Sequence, residues 1–475
     1  MTSEEAEEIR RITAMTAQSP DLLSALKDGY APLHIAASKG HLAVVRHLLE
    51  EGAAVDVPDK WGESPLQFAV RSGHLAVAEA LLDAGANVQG TARATPLHSA
   101  VARAYTRIIE LLLARGASLQ VAREVNVAVP GLEPLVSLVT TPLGVTAVQN
   151  RLDVAAFLLD RGADPDFCEG ENCGLPINLS ASAEMVELLL QRGADATLAR
   201  PRLQGAIREK QGAILRRLLA AGTRPDSTNA VELRLALQVN GANLETVDLL
   251  VQHGADVNPV LAEITRRYPV DMLRWALDHG GDPNPPSTEL SLLEATGIGE
   301  LQAGESLAHN PAERIRLLLA RGADPNRRFS NGLMLVHALA WQLTPALLGD
   351  ARVDLNAVDM QGRTALMWAV AAANRDAVDR LLERGVEVNA RDREGATALH
   401  IAAARRDLAL VKRLLEAKAD PAARLELRGL QPGDFLHRAV TFQGLWPRWN
   451  TSAAVPPGPS VDLKALRELL PPSAP

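Results

Sequence analysis

The sequence predicts an all-α solenoid of about 12–13 helix-turn-helix repeats joined by hairpin loops. The first observation behind this is a fixed period: Leu33 to Leu66 and Gly52 to Gly85 are both steps of 33 residues, a spacing diagnostic of stacked repeats. The second is punctuation. Ser64, Thr95, Thr141, Thr364 and Thr397 stand where a hydroxyl can cap a helix, and Pro65, Pro96 and Pro142 follow as first helical residues that need no amide donor. Gly52, Gly85, Gly116, Gly162, Gly193, Gly254 and Gly322 follow Leu-rich runs and supply the left-handed residue that ends a helix. The third is composition: aromatics are only 3% of the chain, which suits thin helical layers packed closely rather than a thick globular core.

Residues 1–26 read as amino-terminal capping helices, one from Glu4 to Met15 and a second opened by Ser19-Pro20-Asp21 and ending near Lys27. The array itself is expected over 27–421. In its first copy a turn at Asp28-Gly29 leads into Ala-Pro-Leu-His at 31–34, and Gly40-His41 breaks the segment into two short antiparallel helices. Their Leu, Val and Ala faces can be buried only against neighbouring copies. After Gly116 the closing positions fall at Gly162, Gly193, Gly222, Gly254, Gly280, Gly322 and Gly385, with Lys418 in the equivalent place of the last clear copy. A weakened copy is expected between Gly322 and Gly385, from Asn331-Gly332 through Val336-His337 to Leu347-Leu348.

Two wide steps imply insertions at about 119–138 and 294–310, placed where the chain is at the surface. The copies over about 166–284 have lost the Thr-Pro-Leu-His start and should be less well capped. Residues 422–475 read as a carboxyl-terminal capping repeat. Phe435 to Ala439 would give its first helix and Ser460 to Leu470 its second, with a Trp/Pro-rich turn, Gly444 to Pro459, carrying Trp446 and Trp449 between them.

With Pro-Leu-His, Gly-His and the 33-residue step recurring in this form, the chain resembles the ankyrin-repeat family. The motifs are specific in copies one to three and in the last two, and degenerate between. The resemblance implies binding of another protein through hairpin tips and first-helix ends that line a concave face. By register, Lys27, Asp28 and Tyr30 are tip positions of copy one and Ser38 and Lys39 its helix-end positions. Lys60, Trp61, Glu63, Arg71 and Ser72 hold these places in copy two, and Ala102 and Arg103 the helix end of copy three, where Arg93 replaces the turn glycine. Near the end they are Met360, Gln361, Arg363, Arg393, Glu394 and Arg405. The expected contact patch is Tyr30, Lys39, Lys60, Trp61, Arg71 and Arg103. Trp61 is the sharpest member, since the unit asks for no aromatic there and Trp and Arg are enriched among binding hot spots; the alternative is packing against a neighbouring hairpin. Phe68 and Trp368 follow the histidine slot and read as core.

His34, His98 and His400 occupy the Pro-Leu-His slot, where the resemblance implies hydrogen bonds between repeats rather than catalysis. Cys168 and Cys173 flank Glu169 and Glu171, but no second pair of Cys or His completes a zinc set, so a solvated loop with two thiols is expected. No metal, cofactor or catalytic residue is expected: the chain shows no Gly-rich phosphate cradle, nucleophile elbow or paired-histidine motif.

Net charge is −8, with basic residues dispersed, which argues against a nucleic-acid partner. The acidic start lacks the basic and apolar segments of a secretory signal. The most apolar window, Val125 to Val148, is broken by Pro130, Pro134 and Pro142, so no membrane span is expected. Two cysteines suit a reducing compartment, hence the cytoplasm. The leading functional expectation is a non-enzymatic interaction scaffold, acting as a monomer on a protein partner. Alternatives are a bacterial immunity or neutralising protein that blocks a toxin or effector and, remotely, an enzyme with a site in a loop insertion.

Overall fold

Proline or a capping hydroxyl opens most of the first helices, and a residue with positive φ follows the second ones. In the computed structural model, which describes residues 2–16, 23–90, 95–127, 136–170, 172–240, 244–286, 291–296, 311–342, 345–424, 431–432, 465 and 468–470, the expected closing glycines from Gly52 to Gly385 all have positive φ, and Lys418 (φ 66°) takes the same conformation without being glycine. Thr95, Thr141 and Thr364 accept hydrogen bonds from the backbone amides of His98, Gly144 and Met367. Ser64 departs from expectation: it has an N-cap backbone, but its buried hydroxyl makes no hydrogen bond, because the Gln67 amide is taken by the Ser64 carbonyl at 3.0 Å.

The sequence spacing implied one array, whereas contacts group the chain into two compact units, 1–226 with 234–255, and 227–233 with 256–475. The division falls in the stretch whose copies lack the Thr-Pro-Leu-His start, although Pro176, Pro201 and Pro259 still open helices there. In the first unit, α1 (Ser3–Thr16) precedes the pairs α2 (Pro32–Lys39) with α3 (Leu42–Glu50), α4 (Pro65–Ser72) with α5 (Leu75–Asp83), and α6 (Pro96–Ala102) with α7 (Thr106–Ala114). First helices pack on first helices, α2 on α4 and α4 on α6, while second helices form the other layer, α1 on α3, α3 on α5 and α5 on α7. The strands β1 (Arg123–Val127) and β2 (Val136–Thr140) then lead into α8 (Pro142–Gln149) and α9 (Leu152–Asp160). The pairs that follow are weaker, their first members including a four-residue helix, Pro176–Leu179.

The described parts of the insertion at 119–138 include both strands. β1 and β2 pair antiparallel, Arg123 opposite Thr140 and Val127 opposite Val136, and Val125 and Val127 are buried. Beyond it Gly174 donates to the Val139 carbonyl at 2.8 Å, so the return strand also supports the next tip. In that tip Cys168 and Cys173 form a disulfide, Cα atoms 5.6 Å apart, which corrects the two-thiol expectation: the turn at Gly170 (φ 94°) brings them within bonding reach.

The second unit holds the pairs Asn258–Arg267 with Val270–Asp278, Leu292–Ala295 with Pro311–Ala320, Ala365–Ala371 with Arg375–Glu383 and Ala398–Arg405 with Leu408–Glu416. The weakened copy is present too, its first helix Leu335–Gln342 intact and its second reduced to a 3-10 turn, Pro345–Gly349.

A ladder of side-chain amides, not read from the sequence, ties successive loops together in this unit. Asn284 Nδ2 donates to the Gly322 carbonyl at 2.9 Å while its Oδ1 accepts from the Asp324 amide at 2.7 Å. Asn326 repeats this with the Arg352 carbonyl and the Asp354 amide, and Asn389 with the Lys418 carbonyl and the Asp420 amide. Each rung satisfies two backbone groups that a loop would otherwise leave to water. Asn326→Ala should therefore lower the stability of this unit by about 1–2 kcal/mol, read as a shift of the urea midpoint at constant slope; an unchanged midpoint would show that water replaces the rung.

Several expectations fall outside the described residues: Ser19-Pro20-Asp21, Arg93, most of 294–310, Phe435 to Ala439, and Gly444 to Pro459 with its two tryptophans. Of the second amino-terminal helix expected from Ser19, residues 17–22 lie outside the described ones, Leu23 is in a 3-10 turn, and Ser24 to Leu26 are not helical. Lys27 instead exchanges both backbone hydrogen bonds with Tyr30 at 3.0 Å, which forces the chain into a tight turn.

Candidate protein-binding surface

Copy two's tip is built on a buried carboxylate. Asp59 Oδ1 accepts from the amides of Trp61 (2.9 Å) and Glu63 (2.8 Å), fixing the turn that holds Trp61 outward with 61% of its surface exposed. The neighbouring tip supports it from one side. Lys60 N–H donates to the Gly29 carbonyl at 3.0 Å, and the Lys60 stem crosses Gly29 so closely that a Cβ there would lie 2.4 Å from its Cδ. That crossing places Lys60 Nζ 4.1 Å from the Trp61 ring centre and 5.3 Å from that of Tyr30. The two rings are 5.6 Å apart, tilted by 56°, and Tyr30 meets Phe68 edge-on at 5.8 Å. Ring contacts and an ammonium over an aromatic face hold the cluster without burying it.

Of the six expected contact residues, three, Tyr30, Lys60 and Trp61, are brought together. Arg71 joins them indirectly: its guanidinium lies 4.6 Å from the Phe68 ring centre and Nη1 donates to both Glu63 oxygens at 3.0 and 2.8 Å. Lys39, at the end of α2, is exposed and pairs with Glu4 of α1 at 3.2 Å. Arg103 is exposed at the end of α6, and its side chain makes no hydrogen bond or ion pair among the described residues. Among the corresponding late positions, Met360 is exposed, but Arg363 is not a surface group: it is buried, donating to Asp359 Oδ2 at 2.7 Å. The register placed it at a tip, and the buried carboxylate drew it inward.

Two of the expected slot histidines bond between repeats: His34 Nε2 lies 3.0 Å from the Glu63 carbonyl and His98 Nε2 3.0 Å from that of Thr140, and His337 of the weakened copy does the same at 3.1 Å from that of Arg363, while His400 Nδ1 lies 2.9 Å from the Thr397 hydroxyl of its own copy. Burial pushes His34, His98 and His337 below the ordinary imidazole range, His98 to about 4. A neutral ring wedged between a carbonyl and an amide, or in His98 the Thr95 hydroxyl, is a structural joint. No cluster of three or more His, Cys, Asp or Glu among the described residues could hold a metal, and no helix among them is long and apolar enough to cross a membrane.

Sequence reasoning missed Asp59, Phe68 as a support for Tyr30, and the exposure of Leu26 and Ile35 beside them. The signal for Asp59 was present in the parallel turns Asp59 to Gly62, Asp359 to Gly362 and Asp392 to Gly395.

A family model described as ankyrin repeats (3 copies) matches residues 9–92, 33–123, 301–392 and 335–424, which together make up half of the chain. No curated protein matches it.

Proposed function

Because the chain belongs to the ankyrin-repeat family, whose repeats generally mediate protein–protein interaction, we propose that it is a non-enzymatic interaction scaffold that binds a protein partner as a monomer. The proposed contact face is the run of tips and first-helix ends in copies one to three. The observation that carries this reading is Trp61: a large aromatic, exposed on a turn fixed by two hydrogen bonds to Asp59, with Lys60 resting on its ring. A rigid aromatic loses little conformational freedom on contact and buries a large apolar area, the properties of a binding anchor. Lys39, Lys60 and Arg103 add positive charge around it, which favours a partner with an apolar patch bordered by acidic groups.

Trp61→Ala should weaken partner binding by about 2 kcal/mol, roughly thirtyfold, and change stability by less than about 0.5 kcal/mol, as for other exposed positions. The measurement is a tagged pull-down from the source cell with the native chain and the variant side by side, followed by titration of the partner recovered. Equal recovery by both chains would remove Trp61 from the interface.

A further inference from the structure

Four tips close in the same way. The backbone N–H of Asp59 donates to the Glu63 carbonyl at 2.9 Å, and Phe329 to Leu333 (2.7 Å), Asp359 to Arg363 (3.0 Å) and Asp392 to Ala396 (3.0 Å) repeat it. Each bond ties the segment leaving one second helix to the segment that enters the next first helix.

The tip at 168–173 has no such bond among the described residues, and its two sides are held separately. On the incoming side Asp166 Oδ2 accepts from the Asp195 amide at 2.8 Å, and Asp164 Oδ1 from the Asp166 amide at 2.9 Å. On the outgoing side the Gly174 amide donates to Val139 of β2, and the Gly174 carbonyl accepts from the Thr140 hydroxyl at 2.8 Å. A backbone contact of 3.5 Å from Cys173 to Gly170 lies inside the turn and is too long to hold it alone. What joins the two sides is the Cys168–Cys173 bond.

Composition and access agree with a chemical role for that bond. The chain has two cysteines in 475 residues, and both stand at this tip, five positions apart. Cys168, Glu169, Gly170 and Asn172 are exposed, and Cys173 is half-buried beside β2. A disulfide inside a core is shielded from dissolved thiols, whereas this one begins at an exposed residue.

We propose that Cys168 and Cys173 are a reversible thiol–disulfide site through which a low-molecular-weight thiol of the glutathione class opens and closes this tip. In opening, the incoming thiolate attacks Cys168 Sγ, the S–S bond breaks, and Cys173 leaves as a thiolate that takes a proton. A second thiolate attacks the added sulfur, releasing the small-molecule disulfide and the Cys168 thiolate, which is protonated in turn. Two small thiols are oxidised to one disulfide while the protein disulfide is reduced to two thiols, so electrons and protons balance. Closing is the reverse, with Cys173 as the resolving group. Neither anchor, Asp166 on one side and Gly174 on the other, uses a sulfur. Reduction therefore frees the residues between them and leaves α9 and the helix Pro176–Leu179 in place. The site lies outside the contact face of copies one to three and makes the shape of one further tip depend on the thiol pool.

The test equilibrates the full chain over a series of reduced-to-oxidised glutathione ratios, quenches it with acid, alkylates it and counts labels by mass. The two thiols should appear together, as chains carrying none or two labels. A chain that stays fully labelled under excess oxidised glutathione, or unlabelled under about 10 mM reduced glutathione, overturns the proposal. Cys173→Ser should accumulate the mixed disulfide on Cys168, and Cys168→Ser should form it on Cys173 about fivefold more slowly or less; equal rates would overturn Cys168 as the point of attack. Hydrogen exchange separates a switch from a staple. Amides of 168–173 should exchange about tenfold faster in the reduced chain, while those of α8, α9 and Ala183–Gln191 keep their rates. The double variant Cys168→Ala/Cys173→Ala should match the reduced chain. Unchanged exchange at the tip overturns the proposal, and so does lost protection across those helices, which would make the bond a structural support of the stack.

Discussion

Trp368→Ala should destabilise the second unit by about 3–5 kcal/mol, the loss typical of deleting a fully buried large aromatic. Trp368 has no exposed surface. Its ring lies 4.8 Å from the Arg363 guanidinium, and its Nε1–H donates to Asp359 Oδ2 at 3.1 Å. That carboxylate is itself buried, its other oxygen taken by the amides of Gln361 and Arg363 at 2.8 and 2.9 Å. The substitution thus opens a cavity and removes a donor from a buried charge, two penalties of different origin. Trp368→Phe separates them by keeping most of the volume, and should cost about 1–3 kcal/mol. Copy two is barer still, with Phe68 at the equivalent position, Glu63 in place of Arg363 and Asp59 Oδ2 buried without a hydrogen bond, whereas Asp359 Oδ2 keeps Arg363. Urea unfolding followed by hydrogen exchange over 359–416 is the measurement; a loss below 1 kcal/mol for Trp368→Ala would mean the site collapses around the deletion.

Acid should loosen the first unit well before its carboxylates titrate. His98 is held neutral, its pKa pushed down to about 4 chiefly by burial, with the positive charge of Arg123 acting in the same direction. Its Nε2 faces the Thr140 carbonyl and its Nδ1 lies 2.7 Å from the Thr95 hydroxyl. In the unfolded chain the same ring titrates near 6.5. Below that pH the unfolded state binds the proton first, so the contribution is complete above about 6.5 and is lost as pH falls toward 4. At pH 5 the loss from His98 alone is about 2 kcal/mol. Burial lowers His34 as well, which adds in the same sense within this unit. Asp166 has a raised pKa from burial and acts oppositely, but only as pH falls toward the carboxylate range, so the window from pH 7 to 5 isolates the histidines. Urea midpoints across that window should fall, and His98→Asn should flatten the slope by close to one proton. A slope unaltered by His98→Asn would assign the acid sensitivity elsewhere.

What the sequence determined by itself is whatever a short stretch of backbone demands. A left-handed residue must end each second helix, and Gly52 through Gly385 mark those ends; even Lys418 was identifiable, because the period put a non-glycine where only that conformation fits. Proline starts and threonine caps are equally local, and so is Trp61 at a tip, since register alone assigns it there. Tertiary structure decided everything that depends on which neighbour is present. Arg363 and Glu63 hold equivalent tip places, yet one turns inward to Asp359 and the other is held by the Arg71 guanidinium. The turn at Gly170 joined Cys168 to Cys173, and the pairing of β1 with β2 buried Val125 and Val127 of an insertion that spacing alone placed at the surface. Local geometry is written into each residue and its near neighbours, whereas exposure belongs to the stack, and a repeat is covered only by the copies beside it.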